Sequence, residues 1–332
     1  LVFASGTGSA TELMPLANSP QPPFALTVSA EARAAMTPML SAAHAPEATF
    51  LLMRNPVTRP AVRAAAAFHL RPLNKSRAKR FGVEVAKARI AGVPVKLVRR
   101  RDIDAAADPR LLINLHGGGF MVDSGSLTES IPIAGLTGIP VASVMYRMAP
   151  EHPFPAAVDD ALAVYRDALA HRSPSAIGIF GTSAGAILTL QLLARIKAEG
   201  LPMPAAAGVF SGSADLAVAG DCEGFLPSIM GSRTAPDVLS DYTVGTERTD
   251  PLLSPIYGDM SGFPPVLLMA STRDQLLSQT VLADLALRRM GVETDLRVYE
   301  GMLHAFWAWI DCPETEDALN AQAAFFSQRL ER

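Results

Sequence analysis

The sequence predicts an α/β protein with a mostly parallel eight-stranded sheet flanked by helices. Three observations carry this. Short apolar runs alternate with longer helix-period stretches, as in strands joined by crossover helices. One run, Ile177-Gly178-Ile179-Phe180, passes through Gly181-Thr182-Ser183-Ala184-Gly185 straight into a helical stretch. Two further polar residues, Asp274 and His304, each stand just past a predicted strand, where the crevice of such a sheet lies.

Composition narrows the classes. Of 332 residues, 49% are apolar and 18% charged, enough for a large buried core. A net charge of −3 gives no reason to expect nucleic acid or an anionic membrane as partner. Two local basic runs, residues 71–80 and Arg99-Arg100-Arg101, read as solvated connections or exposed strand ends. Cys222 and Cys312 are far apart and offer neither a metal-ligand spacing nor a disulfide framework. No run of about 18 uncharged apolar residues occurs, so no integral membrane segment is expected. The expected location is the cytoplasm: residues 1–4 are too short for an apolar signal core, although a signal peptide already cleaved is left open.

Residues 1–25 hold Gly, Ser and four prolines and read as an irregular arm. A helical stretch follows over 29–40, with Ser29 as N-cap, and an alanine-rich helix over 60–70, with Pro60 in its first turn. His44 and His69 lie in this part and read as surface or packing residues. From Gly82 the period becomes that of strands. Residues 83–90 and 93–99 form a hairpin around Ala91-Gly92, and the apolar run 111–115 is a central strand ending in His116-Gly117-Gly118-Gly119-Phe120. Helix 126–136, strand 140–145 and helix 155–170 lead to the strand and helix around Ser183, which stops near Gly200 and Pro202. After strand 205–210 the alternation breaks over 212–250, which reads as an insertion outside the sheet with apolar patches at Phe225-Leu226 and Ile229-Met230. Strand 266–270, helix 276–290, strand 295–299 and a closing helix over 314–330 complete the chain.

The strand–turn–helix context makes Gly181-Thr182-Ser183-Ala184-Gly185 a nucleophile elbow rather than a chance match, which a bare G-x-S-x-G would be in roughly one chain of this length in ten. A serine hydroxyl is a weak nucleophile and needs a base. His304 is the candidate base and Asp274 the candidate acid that fixes its tautomer. Asp284 and Asp250 are the other nearby carboxylates, but Asp284 sits inside a helix pattern and Asp250 precedes Pro251, so both fit the acid less well. The chain order Ser183, Asp274, His304 is that of α/β-hydrolases. The amides of Gly118 and Gly119, with that of Ala184 at a helix N-terminus, form the candidate oxyanion hole. His116 reads as structural, bonding the glycine loop.

With these residues in place the chain, over about residues 80–330, resembles the hormone-sensitive-lipase family of α/β-hydrolases, the bacterial family IV esterases. The resemblance rests on His116-Gly117-Gly118-Gly119-Phe120, on Tyr146-Arg147-Met148-Ala149-Pro150-Glu151-His152-Pro153-Phe154-Pro155-Ala156, on the elbow, on Asp250-Pro251-Leu252-Leu253-Ser254-Pro255, on Asp274-Gln275-Leu276 and on Gly301-Met302-Leu303-His304. The elbow resembles the G-T-S-A-G subgroup; many members carry Asp where Thr182 stands, so this chain lacks a negative charge beside the nucleophile. The resemblance implies hydrolysis of short- to medium-chain carboxylic esters without cofactor or metal, a small-molecule ester as partner, and a homodimer. It also implies a helical cap from residues 1–75 and the insertion 212–250, over a core of residues 76–211 and 251–332. An amidase or deacetylase on the same triad is the alternative. A ligand-binding inactive hydrolase fold is a third reading, weakened by the presence of all three triad members. Phe120, Met121, Tyr146, Phe225, Leu226, Phe306 and Trp307 are pocket-wall candidates that read equally as core.

Overall fold

β1 (Val83–Ile90), β2 (Val93–Arg100), β3 (Leu111–Leu115), β4 (Val141–Val144), β5 (Ile177–Thr182), β6 (Ala206–Phe210), β7 (Val266–Arg273) and β8 (Thr294–Leu303) form one sheet in the order β1-β2-β4-β3-β5-β6-β7-β8. The computed structural model describes residues 24–42, 51–103, 108–226 and 238–331. The β1–β2 and β2–β4 pairs are antiparallel and every other pair is parallel. The edge strand β1 is largely exposed, whereas every residue of β3, β4, β5 and β6 is buried. The central strands are accordingly uncharged and mostly apolar, with Asn114, Ser143 and Thr182 as buried polar exceptions, while β1 mixes apolar and charged residues.

Successive residues of the central strands feed two different cores. Leu112 and Phe180 pack with the helices α3 (Ser126–Thr137) and α7 (Pro313–Arg329) on one face. Ile113, Ile177 and Ile179 pack with α4 (Ala156–His171) and α5 (Ala184–Ala198) on the other. Further along that second face, Val209, Val266 and Leu268 meet α6 (Leu277–Arg289). The period-2 alternation of strands thus fills both faces from a continuous apolar run.

The N-terminal part holds α1 (Ala30–Ala42) and α2 (Arg59–Arg80). Helix α2 runs ten residues beyond the predicted end, through Pro72, and takes up the whole basic run 71–80. Pro72 lies on the exposed side, where an unpaired carbonyl one turn back can meet water. Arg77 fixes the second half: it is 1% exposed, pairs with Asp311 at 2.7 Å and donates to the carbonyls of Thr128, Ala308 and Ile310. The basic run is therefore no solvated connection; one of its charges is a buried anchor. Arg99 and Arg100, in contrast, do end a strand, and pair with Glu84 and Asp102.

After β6 the chain leaves the sheet. Single helical turns lie at Asp221–Phe225 and Ser240–Thr243, and Tyr242 stacks on Phe120 with ring centroids 3.6 Å apart. The apolar patch Ile229-Met230, like His44, lies outside the described residues. Among the described residues no helix is long and apolar enough to cross a membrane.

Candidate active site

The parallel registers bring five strand ends, those of β3, β5, β6, β7 and β8, to one edge. Leu115 pairs with Gly181, Thr182 with Phe210, Phe210 with Met269, and Arg273 with Leu303. Ser183, Asp274 and His304 are the residues that follow β5, β7 and β8 directly.

Ser183 occupies φ 59°, ψ −121°, a backbone region that a non-glycine residue adopts only when its surroundings hold it there. Its amide donates to the Phe210 carbonyl at 2.8 Å, and its carbonyl accepts from Ala186 and Ile187, the start of α5. The flanking Gly185 is required by close approach: a Cβ there would lie 1.8 Å from the Leu115 carbonyl oxygen. Ala184 is the first residue of α5, where amides have no acceptor within the helix.

The glycine loop follows β3. The Gly117 carbonyl accepts from Ser124 N and from the His116 ring, and the Gly118 carbonyl accepts from Met121 N and Val122 N. Each peptide is planar and trans, so the amides of Gly118 and Gly119 point away from those partners. Gly118, at φ +114°, admits no side chain; a Cβ would meet the Val122 carbonyl oxygen at 1.8 Å. His116 is fully buried under the loop, stacked on Tyr146 at 4.2 Å, and burial lowers its pKa. It is structural, as its sequence position suggested.

His304 Nδ1 lies 2.7 Å from Asp274 Oδ1, both side chains being almost wholly buried. Burial alone raises a carboxyl pKa. For Asp274 the charge and hydrogen bond of His304, with the Ser211 hydroxyl and the Leu276 amide, more than offset that effect, and its pKa lies below the usual range. Asp284 is placed elsewhere: it sits in α6, bonded to Arg288 and Thr294.

Ser183 and His304 open on one cavity of about 200 Å³, whose wall also includes Gly117, Gly118, Gly119 and Thr182. Among the described residues, Met121 is the one pocket-wall candidate from the sequence that lines it; Phe120, Tyr146, Phe306 and Trp307 are buried core. The wall also contains Met53, Val122, Ser124, Glu129, Ala308 and Trp309, which sequence reasoning did not single out. Glu129 carried a readable signal: it is the sole charge in the helix Ser126–Thr137. The set is chemically coherent. A strained serine, the ring of a buried imidazole–carboxylate pair and the glycine loop border a mostly apolar space able to take an acyl group. Among the described residues no cluster of His, Cys, Asp or Glu has the arrangement of a metal site.

A family model for the alpha/beta hydrolase fold matches residues 112–308. The chain is 34% identical to an acetyl-hydrolase of Streptomyces hygroscopicus, over 67% of this chain and 76% of that protein. It is 30% identical to an esterase of Acinetobacter venetianus, over 75% of this chain and 83% of that protein. Among solved structures, esterase E25 superposes with a TM-score of 0.81 at 31% identity, covering 94% of this chain and 98% of that one. An esterase from the bacterial hormone-sensitive lipase family superposes with a TM-score of 0.72 at 27% identity, covering 86% and 98%.

Proposed function

Because the chain belongs to the hormone-sensitive-lipase family of α/β-hydrolases and is a hydrolase of carboxylic esters, we propose that it works as a serine carboxylesterase through an acyl-enzyme on Ser183. The observation that supports this is the single cavity shared by Ser183 and His304, with the His304 ring held from behind by buried Asp274.

In this mechanism His304 Nε2 takes the Ser183 hydroxyl proton as Oγ attacks the ester carbonyl carbon. Asp274 holds the proton on Nδ1 and stabilises the imidazolium. The amides of Gly118, Gly119 and Ala184 receive the charge that develops on the carbonyl oxygen. The C–O bond to the alcohol then breaks, and the alcohol leaves with the proton from His304. Water, deprotonated by His304, attacks the acyl-enzyme, and the acid is released as Ser183 regains its proton. No cofactor or metal takes part. The apolar walls from Met53, Met121, Val122 and Trp309 suit a short or medium acyl chain. In the same reading residues 1–75 and 212–250 act as the cap over the core of 76–211 and 251–332. Support comes from Met53 in the cavity wall and from Arg63, which bonds the Met121 and Ala149 carbonyls at 2.7 and 3.0 Å.

The test is labelling with a fluorophosphonate probe and mapping of the adduct by mass spectrometry. An adduct on Ser183 that nearly vanishes in His304→Ala is the expected result. An unlabelled Ser183 in folded protein would overturn the proposal.

A further inference from the structure

Glu129 points inward although it is the one charged residue of α3. It is 2% exposed and stands in the wall of the cavity that Ser183 and His304 share. Its partners are uncharged. Asn114 Nδ2 donates to Oε2 at 3.3 Å. The Thr182 hydroxyl lies beside the carboxyl and, accepting from Trp307 Nε1 at 3.2 Å, keeps its own proton to donate. Asn114 in turn accepts from Ser143 Oγ at 2.8 Å. A buried polar chain, Ser143–Asn114–Glu129–Thr182–Trp307, thus runs under the elbow and ends beside the His304 turn.

The charges around Glu129 are engaged elsewhere. Asp123, on the glycine loop, is paired with Lys96 of β2 at 2.8 Å. Arg77, from α2, is held by Asp311 and three carbonyls. On the first turn of α7, Glu314 is bonded by Ser29 and Glu316 by Arg80. His116 of the loop is buried with a lowered pKa, and His304 across the cavity is bonded to Asp274. Burial is the largest influence on the Glu129 carboxyl, outweighing the hydrogen bonds from Thr182 and Asn114, and its pKa is raised to about 8.

Building on the serine-esterase reading, we propose that Glu129 is a positioning and specificity residue of the site. It remains an uncharged acid that holds Thr182 next to Ser183 and keeps the acyl cavity free of negative charge, which fits the site to uncharged esters. The physical reason is local. The substrate oxygen must gain negative charge in an apolar, poorly screened space, and a second negative charge in the same wall would oppose it. Thr182 brings no charge to the elbow, and ionisation of Glu129 would add a negative charge to the cavity wall itself.

The test is the pH profile of kcat/KM on an uncharged short-chain ester, each protein normalised to its own value at about pH 6.5. The wild type is expected to lose about tenfold with a midpoint near pH 8, and Glu129→Gln to lack that limb. The same limb in the glutamine variant would overturn the proposal. A second readout needs neither turnover nor a folded variant. Infrared difference spectra of the wild type carrying 13C-labelled glutamate, taken between about pH 6 and pH 10, are expected to show a protonated carboxyl band that disappears on the alkaline side. Absence of any such band at about pH 6 would overturn it independently. Because that band does not depend on esterase activity, and Ser183 labelling does not depend on Glu129, failure of one reading is distinguishable from failure of the other.

Discussion

Asp274 and His304 meet because the strands that deliver them are paired to their last residues. Arg273 faces Leu303 across β7 and β8, and the next residue of each strand leaves the ladder beside the other. The Ser271 hydroxyl reinforces that end by donating to the Leu303 carbonyl at 3.2 Å. The 2.7 Å contact between Asp274 Oδ1 and His304 Nδ1 is therefore a product of sheet register, 30 residues apart in sequence.

Asp274→Asn tests the role of that contact. Asparagine keeps the volume but cannot hold the Nδ1 proton as a carboxylate does, so the proposed base is left in the wrong tautomer. In the proposed mechanism kcat falls by about 10⁴-fold, the size of effect known for the equivalent change in serine hydrolases, with the fold retained. Steady-state kinetics beside a circular dichroism melt checks it; near-normal kcat in the folded variant would remove Asp274 from the mechanism.

Gly118→Ala addresses the loop amides. The added Cβ would lie 1.8 Å from the Val122 carbonyl oxygen, at a φ of +114° that alanine avoids. The loop must shift, and the Gly118 and Gly119 amides shift with it. A loss of about 10²–10³ in kcat is expected, with KM changed far less, since the donors act on charge that develops only in the transition state. A variant that raised KM alone would show that the loop binds the ground state instead.

The parts of this site that lie in strand ends were legible in the sequence, and the parts that depend on packing between distant elements were not. Ser183, Asp274 and His304 each follow a strand that the sequence predicts, so position along the chain marks them as candidates. The extent of β7 and β8 was underread because Thr272, Arg273 and Glu300 interrupt the apolar pattern, although pairing carries the strands past them. Met53 and Trp309 reach the cavity from elements far apart in sequence, and nothing local marks a residue for such a wall. Arg77 was lost inside a basic run whose other members do face solvent.

Arg77→Ala is expected to be among the more destabilising single changes. It removes a buried guanidinium that satisfies the carbonyls of Thr128, Ala308 and Ile310 and pairs with Asp311. Asp311 is half-exposed, so the cost falls on the buried carbonyls left without a donor, about 1–3 kcal/mol. Urea denaturation measures it. A loss under about 1 kcal/mol would mean that water replaces the guanidinium at no great cost.

Glu129 makes a separate prediction about stability, with its sign fixed by linkage. Its folded pKa of about 8 lies above the ordinary value of 4.5, so between those limits the native state binds a proton that the unfolded chain releases. Unfolding then becomes easier as pH rises. The contribution of Glu129 to stability is fully present below about pH 4.5, is lost progressively up to about pH 8, and changes no further once the group is ionised in both states. Glu129→Gln has no proton to lose. The stability difference between that variant and the wild type should therefore shift in favour of glutamine across this window, by a few kcal/mol at most. Urea midpoints at about pH 4.5, 6 and 8.5 measure the trend. A difference that stays constant with pH would mean that the Glu129 carboxyl titrates like an ordinary surface acid, and the neutral acid beside Thr182 would have to be given up.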